Sequence, residues 1–228
     1  MARISLIRQI EEPRFARVIA KQFNLQRRAV LEEVKKDMPQ IDDLFWEEHS
    51  NNLISAILPM LIGIYDRAAA RTIGQTPMKQ DLIGAIASRA ARWARRYAGE
   101  LMPGLMRNTR DTVREALVSF VSTPGMLIRD FADMLDPIFG TNRAMTIAVT
   151  EFTRAHFEGQ AALAEEVGRV GFQMIGIWLT ANDERVCQIC GPLNGTSESN
   201  VGSRQWGPDG IHPPAHPNCR CDIGYELA

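Results

Sequence analysis

The four cysteines of the chain all lie beyond residue 186 and fall into two tight groups. Cys187 and Cys190 form a CxxC pair, and His216 and Cys219 repeat the same two-residue gap as an HxxC pair. A gap of two residues lets a tight turn aim both side chains at one ion, and two such turns complete a tetrahedral zinc site. The surrounding segment is poor in apolar residues, so a cross-link of this kind would help it to fold.

The sequence therefore predicts a structural Zn²⁺ ion held by four of five residues, which are Cys187, Cys190, His216, Cys219 and Cys221. In an extended strand Cys219 and Cys221 point to the same face, so Cys221 can replace His216 as the fourth ligand. The spacer, residues 191–218, is longer than the usual spacing of about 15–20 residues in zinc ribbons. The alternatives are four reduced cysteines in a small core, or a disulfide. Because the first residues carry scattered charges and no secretory signal, we expect a reducing cytoplasm, which favours the metal.

Apolar residues recur at helical spacing through most of the first 170 positions. We predict a first helix over about 14–36, a second from Asp42–Asp43, and a last long helix over about 142–167. The pattern is interrupted near Pro39, Pro77, Pro124 and Gly140. The apolar run "NLISAILPMLIGIY" is too short for a membrane span and contains a proline, so it predicts a buried helix and no membrane span.

After residue 168 the sequence becomes β-leaning and rich in turn residues, with strand candidates in "GFQMIGIWLT" and "CDIGYEL". The predicted fold class is α+β, mainly α. A helical N-terminal region, 1–140, is expected to bind partners. The C-terminal module, 141–228, is expected to contain one long helix, a small antiparallel β-sheet and a zinc knuckle.

Catalytic motifs are missing from the sequence: it has no GxSxG, no phosphate-binding glycine loop and no HExxH. Asp183 and Glu184 are adjacent and would face opposite ways on a strand. An HNH-type nuclease would need a helix between His212 and His216, and the intervening "PPA" forbids one. We therefore predict a protein without catalytic or cofactor-binding residues, and not an enzyme.

Three segments in order, "NRAMTIAVTEFTRAHFEGQ", "WLTANDERVCQICGPLNGT" and "PPAHPNCRC", resemble the phage Mu F-like head morphogenesis proteins, also called minor capsid proteins. The resemblance covers roughly 141–225. It implies a component of a tailed-phage or prophage head, located in the virion and assembled in the bacterial cytoplasm. It further implies action with the portal protein or major capsid protein in head morphogenesis, DNA packaging or delivery. The alternative is a zinc-containing nucleic-acid-binding protein or HNH-like nuclease of the same particle.

Several residues of these segments have predicted structural roles. Trp178 is expected in the core. If Cys219 and Cys221 face the metal, Arg220 faces the other way and can form a bidentate pair with Asp183. Glu151 and Arg154 can pair on the helix surface, or can clamp the helix to the β module.

Arginines recur at helical spacing in the middle of the chain, and the pattern predicts two neighbouring helices with basic faces. The net charge of −1 excludes a globally basic nucleic-acid binder but not a local basic stripe. We expect this stripe to face double-stranded DNA, without sequence preference, or an acidic portal surface. A solvated helix face is the alternative. The residues concerned are Arg89, Arg92, Arg96, Arg107, Arg110 and Arg114.

Overall fold

The computed structural model describes residues 2–36, 41–73 and 79–228, with side chains other than those at 2–5, 73 and 79–83. Within these ranges the chain forms six α-helices, one short 3₁₀ helix and two β-strands. The helices are α1 Ala2–Val34, α2 Asp43–Ile73, α3 Lys79–Ser122, α4 Ile128–Met134, α5 Asp136–Phe139 and α6 Thr141–Arg169. The 3₁₀ helix is Gly191–Leu193, and the strands are β1 Met174–Leu179 and β2 Asp222–Leu227.

The predicted fold class is confirmed, because the described chain is mainly helical with one small antiparallel sheet. Strands β1 and β2 pair in antiparallel register, with Trp178 opposite Ile223. Both predicted strand segments thus form strands. The predicted start of α2 is also confirmed, since Oδ1 of Asp42 accepts a hydrogen bond from the Phe45 amide at 3.0 Å and caps the helix.

Two helix predictions were wrong, and each of the helices concerned contains a proline. The basic positions lie on one continuous helix, α3, which contains Pro103. Likewise α1 begins twelve residues earlier than predicted and contains Pro13. A proline removes one helical hydrogen bond, but the buried positions Ala98, Met102 and Met106 continue at helical spacing past Pro103. Packing of this stripe keeps the helix continuous. The predicted breaks near Pro39 and Pro77 lie outside the described residues.

The chain divides into two compact units, and each is built from segments that are distant in the sequence. The first unit comprises Met1–Glu12, Met60–Ala94 and Val149–Ala228, and the second comprises Pro13–Pro59 and Arg95–Ala148. The four long helices each have residues in both units. In α1 and α2 the division falls at Pro13 and Pro59. The division into an N-terminal region, 1–140, and a C-terminal module, 141–228, was made from the sequence and stays a prediction.

The second unit has an aromatic core. Phe23 of α1 meets Phe139 of α5 edge-on, with ring centroids 6.2 Å apart. The guanidinium of Arg143 lies 5.1 Å from the Phe23 ring centroid and donates to the Ile138 carbonyl at 2.7 Å. Burial lowers the pKa of Arg143 to about 10, and the ring and carbonyl contacts compensate the guanidinium for lost water.

Helix α2 contains the apolar run that predicts a buried helix. By length and composition alone this helix could cross a bilayer, a test that buried helices of globular proteins also pass. Its buried residues Leu53, Ile57, Leu61 and Ile64 recur at helical spacing. We therefore interpret α2 as a core helix with one buried face.

The first unit packs its sheet around two tryptophans. Trp178 and Trp206 are fully buried with ring centroids 5.8 Å apart, which confirms Trp178 as a core residue. The indole of Trp206 donates to the Gly176 carbonyl at 3.2 Å. Gly159 of α6 allows the helix to approach the backbone of α2, because a Cβ at this position would lie 2.2 Å from the Tyr65 carbonyl oxygen. These contacts bring α6 and the sheet together next to the cysteine-containing loops.

Candidate metal centre

A polar stripe on α6 binds the backbone that carries the last two cysteines. Thr153 donates through its hydroxyl to the carbonyl of Cys219 at 2.6 Å. Thr150 accepts from the amide of Asn218 at 2.9 Å. About two turns further along, Gln160 donates to the carbonyl of Ile223 at 2.8 Å. Because these side chains recur every three to seven residues on one helix face, α6 fixes the position of segment 218–223.

A residue of α1 completes this support. The guanidinium of Arg8 donates to the carbonyl of Cys221 at 3.0 Å and to the hydroxyl of Thr153 at 2.9 Å. It also lies 4.9 Å from the ring centroid of Phe152 and pairs with Glu12 at 2.8 Å. Sequence reasoning missed Arg8, because an isolated arginine on a helix carries no signal for a contact 213 residues away.

Tight turns shape both predicted ligand pairs. In the CxxC segment, the amide of Gly191 donates to the Cys187 carbonyl at 2.9 Å, and the amide of Cys190 points at the Cys187 sulfur at 3.4 Å. In the HxxC segment, the amide of Cys219 donates to the His216 carbonyl at 3.1 Å. The CxxC turn brings its two sulfurs into one group of donor atoms, as the two-residue gap predicts, and the HxxC segment forms a turn of its own.

The structure brings all five candidate ligands together. Nε2 of His216 lies 3.1 Å from the sulfur of Cys187 and 3.4 Å from that of Cys190. The sulfurs of Cys190 and Cys219 are 4.0 Å apart. Two groups of donor atoms within 4.8 Å of one another share Cys190: one contains Cys187 and His216, and the other contains Cys219 and Cys221. These groups can hold a metal ion.

Three of the donor separations are close to those around a tetrahedral ion, although no four of the candidate donors lie within 4.8 Å of one another. With zinc–sulfur bonds of about 2.3 Å and zinc–nitrogen bonds of about 2.0–2.1 Å, neighbouring sulfurs should lie about 3.8 Å apart, and sulfur and nitrogen about 3.6 Å apart. The observed separations of 4.0, 3.4 and 3.1 Å are within about half an ångström of these values. A void of about 20 Å³ is lined by Cys187, Cys190 and His216 among others, which is enough for one small ion.

The electrostatics of the cluster also favour a cation. Hydrogen bonding with Cys190 and Cys221 lowers the pKa of the Cys219 thiol, and the same crowding of sulfurs raises the pKa of Cys190. Burial is the largest influence on the Cys187 thiol and works to raise its pKa, but hydrogen bonds from Cys190 and the Ile189 amide, together with His216, outweigh it in sum and the net shift is downward. Sulfurs that compete for protons in this way can all become thiolates once a divalent cation is bound.

Arg220 forms the predicted pair with Asp183, and that prediction is confirmed. Its two terminal nitrogens donate to the two carboxylate oxygens at 2.7 and 2.8 Å in a bidentate arrangement. The hydrogen bonds from Arg220 lower the pKa of Asp183 to about 2. Because Asp183 precedes the CxxC turn and Arg220 stands between Cys219 and Cys221, this pair joins the two ligand segments.

The predicted pair of Glu151 and Arg154 lies within α6, with 3.6 Å between the nearest charged atoms. Glu151 is buried, so this pair is not a solvated surface pair. The side chains that bind α6 to the β module include Thr150, Thr153 and Gln160. Sequence reasoning missed them because threonine and glutamine on a helix are usually solvent-facing.

Five of the six basic-stripe arginines are exposed and lie along α3. The sixth, Arg89, is bound by two carboxylates of α6: it contacts Glu165, and it donates to Glu166 at 2.6 Å. Arg110 lies 2.6 Å from Asp43 on the surface of the second unit. The prediction of a polyanion contact therefore depends on the exposed residues Arg92, Arg96, Arg107, Arg110 and Arg114.

The two histidines of the nuclease alternative occupy different environments. The ring of His212 stacks on Phe157 with centroids 5.6 Å apart, whereas His216 contacts the CxxC sulfurs. Segment 212–218 has no helix, as its prolines predict. The two rings are therefore held by different partners.

A protein-family profile described as Phage Mu protein F like protein matches residues 110–224, which is just over half of the chain. The chain belongs to the Mu F-like family of phage proteins. No curated protein matches it, and no solved structure does. Membership confirms the resemblance and makes this a phage head-related protein.

The match to the Mu F-like family covers the whole candidate site. It extends from the second half of α3 to β2, and so includes α6 and all five candidate ligands. The matched range begins upstream of Thr141, which is the approximate start of the segments that resemble the family in sequence. Arg8 lies outside the match, although it donates to the Cys221 carbonyl.

Proposed function

We propose that this Mu F-like protein is a non-enzymatic minor component of a tailed-phage head that acts with the portal protein during head morphogenesis. The observation that supports this most is the family match over the site-bearing half of the chain. The site itself supports a structural role, because its donors are thiolates and an imidazole contributed by two turns of one small module. Sites with four protein ligands hold a fold together, whereas catalytic zinc sites keep one position for water.

Within this function we propose that the metal is Zn²⁺ and that its ligands are Cys187, Cys190, His216 and Cys219. His216 contacts both CxxC sulfurs, and Cys219 is joined to His216 by a tight turn. Soft thiolates with one imidazole are the donor set that tetrahedral Zn²⁺ prefers. When bound, the ion would cross-link the two turns. The fifth candidate, Cys221, would then lie beside the site without binding the ion.

Elemental analysis of protein purified without chelator tests the metal proposal. We expect about one equivalent of zinc for the wild type. Cys190→Ser and Cys219→Ser should lose it, and Cys221→Ser should retain it. Wild-type protein with four titratable thiols, no zinc and an unchanged melting curve after chelation would contradict the proposal. Retention of zinc by Cys219→Ser together with loss by Cys221→Ser would reverse the choice of the fourth ligand.

The portal contact is tested by co-expression with the portal protein encoded in the same phage or prophage genome. We expect a complex that survives size-exclusion chromatography and gives cross-links to the portal. A complex with the major capsid protein alone, or with neither protein, would contradict the portal contact. Particles assembled without this chain should then be compared with complete particles for packaged DNA.

A nucleic-acid-binding role is the second candidate, and the exposed arginines of α3 favour it. Binding through such a surface would be independent of sequence and would weaken steeply with salt. A nuclease would in addition cleave DNA in the presence of magnesium, manganese or zinc. Reproducible cleavage that is lost in a folded His212→Ala or His216→Ala variant would replace the structural proposal with an enzymatic one.

A further inference from the structure

The second unit has an open groove of about 610 Å³ between the start of α2 and the second half of α3. Its arginines are Arg107, Arg110 and Arg114, which come from α3. The half-buried apolar side chains of Ile41 and Leu117 line it as well. The groove therefore combines positive charge with accessible apolar surface.

The apolar surface of α3 continues beyond the groove. Val118 is 60% exposed and Val121 is 81% exposed. These valines follow at helical spacing from three residues of the groove, so all five lie on one side of α3. The five residues form the basic-apolar face, which consists of Arg107, Arg114, Leu117, Val118 and Val121. Adjoining exposed apolar residues are typical of protein interfaces, whereas the phosphates of DNA would engage only the arginines.

The start of α2 has the opposite charge. Leu44 is 73% exposed there, and Glu47 and Glu48, which follow three and four residues later, are exposed as well. This spacing puts the three side chains on one side of α2, where they form the acidic face. Each copy of the chain thus carries two exposed faces of opposite charge, and both faces include exposed apolar side chains.

Contacts within the chain leave the charges of both faces unpaired. Asp43 lies 2.6 Å from Arg110 and so neutralises the central arginine of the groove. Asp111 is the acidic residue of the groove lining, and the lining stays positive because it has three arginines. Within the described ranges, no residue of either face takes part in an ion pair. Unpaired charges of opposite sign steer and orient the association of two molecules.

We propose that copies of this chain self-associate, with the acidic face of one copy bound to the basic-apolar face of the next. The two glutamates of one copy pair with Arg107 and Arg114 of the other, and Leu44 is covered by the valines of α3. Burial of these exposed apolar side chains favours association together with the charges. Both faces belong to the second unit, so every copy carries both halves of the contact. Self-association does not rest on the proposed function.

Sedimentation velocity of the full chain over a range of concentrations tests this proposal by charge reversal. The wild type should associate as its concentration rises, and added salt should weaken the association. The double variant Arg107→Glu, Arg114→Glu should associate about tenfold more weakly, and so should the double variant Glu47→Arg, Glu48→Arg. An equimolar mixture of the two should regain association to within about threefold of the wild type, because opposite charges then face each other again.

Two further variants separate the apolar contribution from a general effect of charge. Val121→Ser should weaken association by about threefold, because the exposed valine loses its apolar contact. The matched control is the double variant Arg14→Glu, Arg17→Glu, which reverses two exposed arginines of α1 in the same unit. It should change association by less than about twofold.

A wild type that stays monomeric at every concentration would overturn the proposal. So would unchanged association in both double variants, or a mixture that associates no better than its components. Circular dichroism shows whether each variant is folded, and Val121→Ser decides the outcome if a double variant is not. A monomeric wild type whose binding to duplex DNA is lost in Arg107→Glu, Arg114→Glu would assign the basic-apolar face to nucleic acid instead. Formation of the portal complex is measured separately and tests the proposed function alone.

Discussion

Arg220 connects the two halves of the candidate metal centre without being one of its candidate ligands. It stands between Cys219 and Cys221, and its guanidinium binds the Asp183 carboxylate ahead of the CxxC turn. This pair could be predicted from the sequence, because alternation along an extended strand puts Arg220 opposite its cysteine neighbours. The choice between His216 and Cys221 could not be predicted from spacing, and it stays a proposal, because both side chains lie within 4.8 Å of the Cys190 sulfur.

The Asp183–Arg220 pair predicts a specific pH dependence. Because the folded pKa of Asp183 is lowered to about 2, its contribution to stability is present above the unfolded value of about 3.9 and is lost only as pH falls towards 2. We expect Asp183→Asn to lower the free energy of unfolding by about 1 kcal/mol, by the same amount at pH 5 and pH 7.

Urea unfolding of both proteins at the two pH values measures this difference, and Glu184→Gln serves as the neighbouring control. In the wild type, the carboxyl carbon of Asp183 should show no titration by NMR between pH 7 and pH 4.5. A difference that disappears already at pH 5, or a carboxyl that titrates near 4, would contradict a pair that persists in solution.

At the scale of elements, α6 organises the first unit through one polar face. Thr150, Thr153 and Gln160 bind the main chain of segment 218–223 rather than its side chains. The length and approximate ends of α6 could be predicted from apolar periodicity. Its polar contacts could not, because a side chain that binds a distant backbone carbonyl leaves no pattern at the position of that carbonyl.

Among the residues of this face, Thr153 is the one whose substitution should lower the free energy of unfolding most. Its hydroxyl donates to the Cys219 carbonyl and accepts from Arg8. Thr153→Val keeps the shape but removes both hydrogen bonds. The Cys219 carbonyl loses this donor, while Arg8 keeps its bonds to Glu12 and the Cys221 carbonyl, so we expect a loss of about 1–3 kcal/mol in urea unfolding. Thr153→Ser keeps the hydroxyl and should lose less than half as much. Equal losses for the two variants would show that packing of the methyl group, and not the hydroxyl, matters.

Gly159 predicts a steric limit on the packing of α6 against α2. A Cβ at this position would overlap the Tyr65 carbonyl oxygen at 2.2 Å, and backbone cannot move aside as a side chain can. We expect Gly159→Ala to lower the free energy of unfolding by about 3 kcal/mol. The matched control is Gly168→Ala on the same helix, where no atom lies within 4 Å of the added Cβ. This change should be neutral or stabilising by up to about 1 kcal/mol, and similar losses for both variants would contradict the close approach.

At the scale of the whole molecule, five of the six predicted arginines of α3 are exposed on a chain with a net charge of −1. The sequence predicts their exposure correctly at five positions. It does not predict the pairing of Arg89 with Glu165 and Glu166, because the carboxylates lie on a helix more than 70 residues away. Nor does it predict that α3 continues through Pro103, since packing and not local propensity decides the outcome there.

Reversing three of these charges should weaken binding to a polyanion without unfolding the chain. The triple Arg→Glu variant at Arg92, Arg107 and Arg114 leaves Arg110 in place, because Arg110 is paired with Asp43. Each exposed change should alter stability by no more than about 0.5 kcal/mol. With duplex DNA as partner, each lost phosphate contact reduces the slope of log affinity against log salt by about 0.9. The loss of three contacts should therefore make the slope less steep by roughly 2.7.

The matched control reverses three exposed arginines of α1, Arg14, Arg17 and Arg28. Fluorescence titrations against duplex DNA and against the portal protein, each at two salt concentrations, should separate the two triple variants. If the α1 variant loses as much affinity as the α3 variant, net charge alone governs binding. If neither variant differs from wild type with either partner, the arginines of α3 form a solvated surface.

The contact between Arg8 and the Cys221 carbonyl has a consequence for the order of events during synthesis. The two residues are separated by 213 positions, so at about 5–20 residues per second Arg8 is synthesised roughly ten to forty seconds before Cys221. The polar face of α6 likewise cannot form its hydrogen bonds until segment 218–223, whose main chain it binds, has been synthesised. Closure of the first unit therefore begins only after Cys221, and with it every described helix, has been synthesised. A metal ion that binds the candidate centre would then meet a chain whose long helices have all been synthesised.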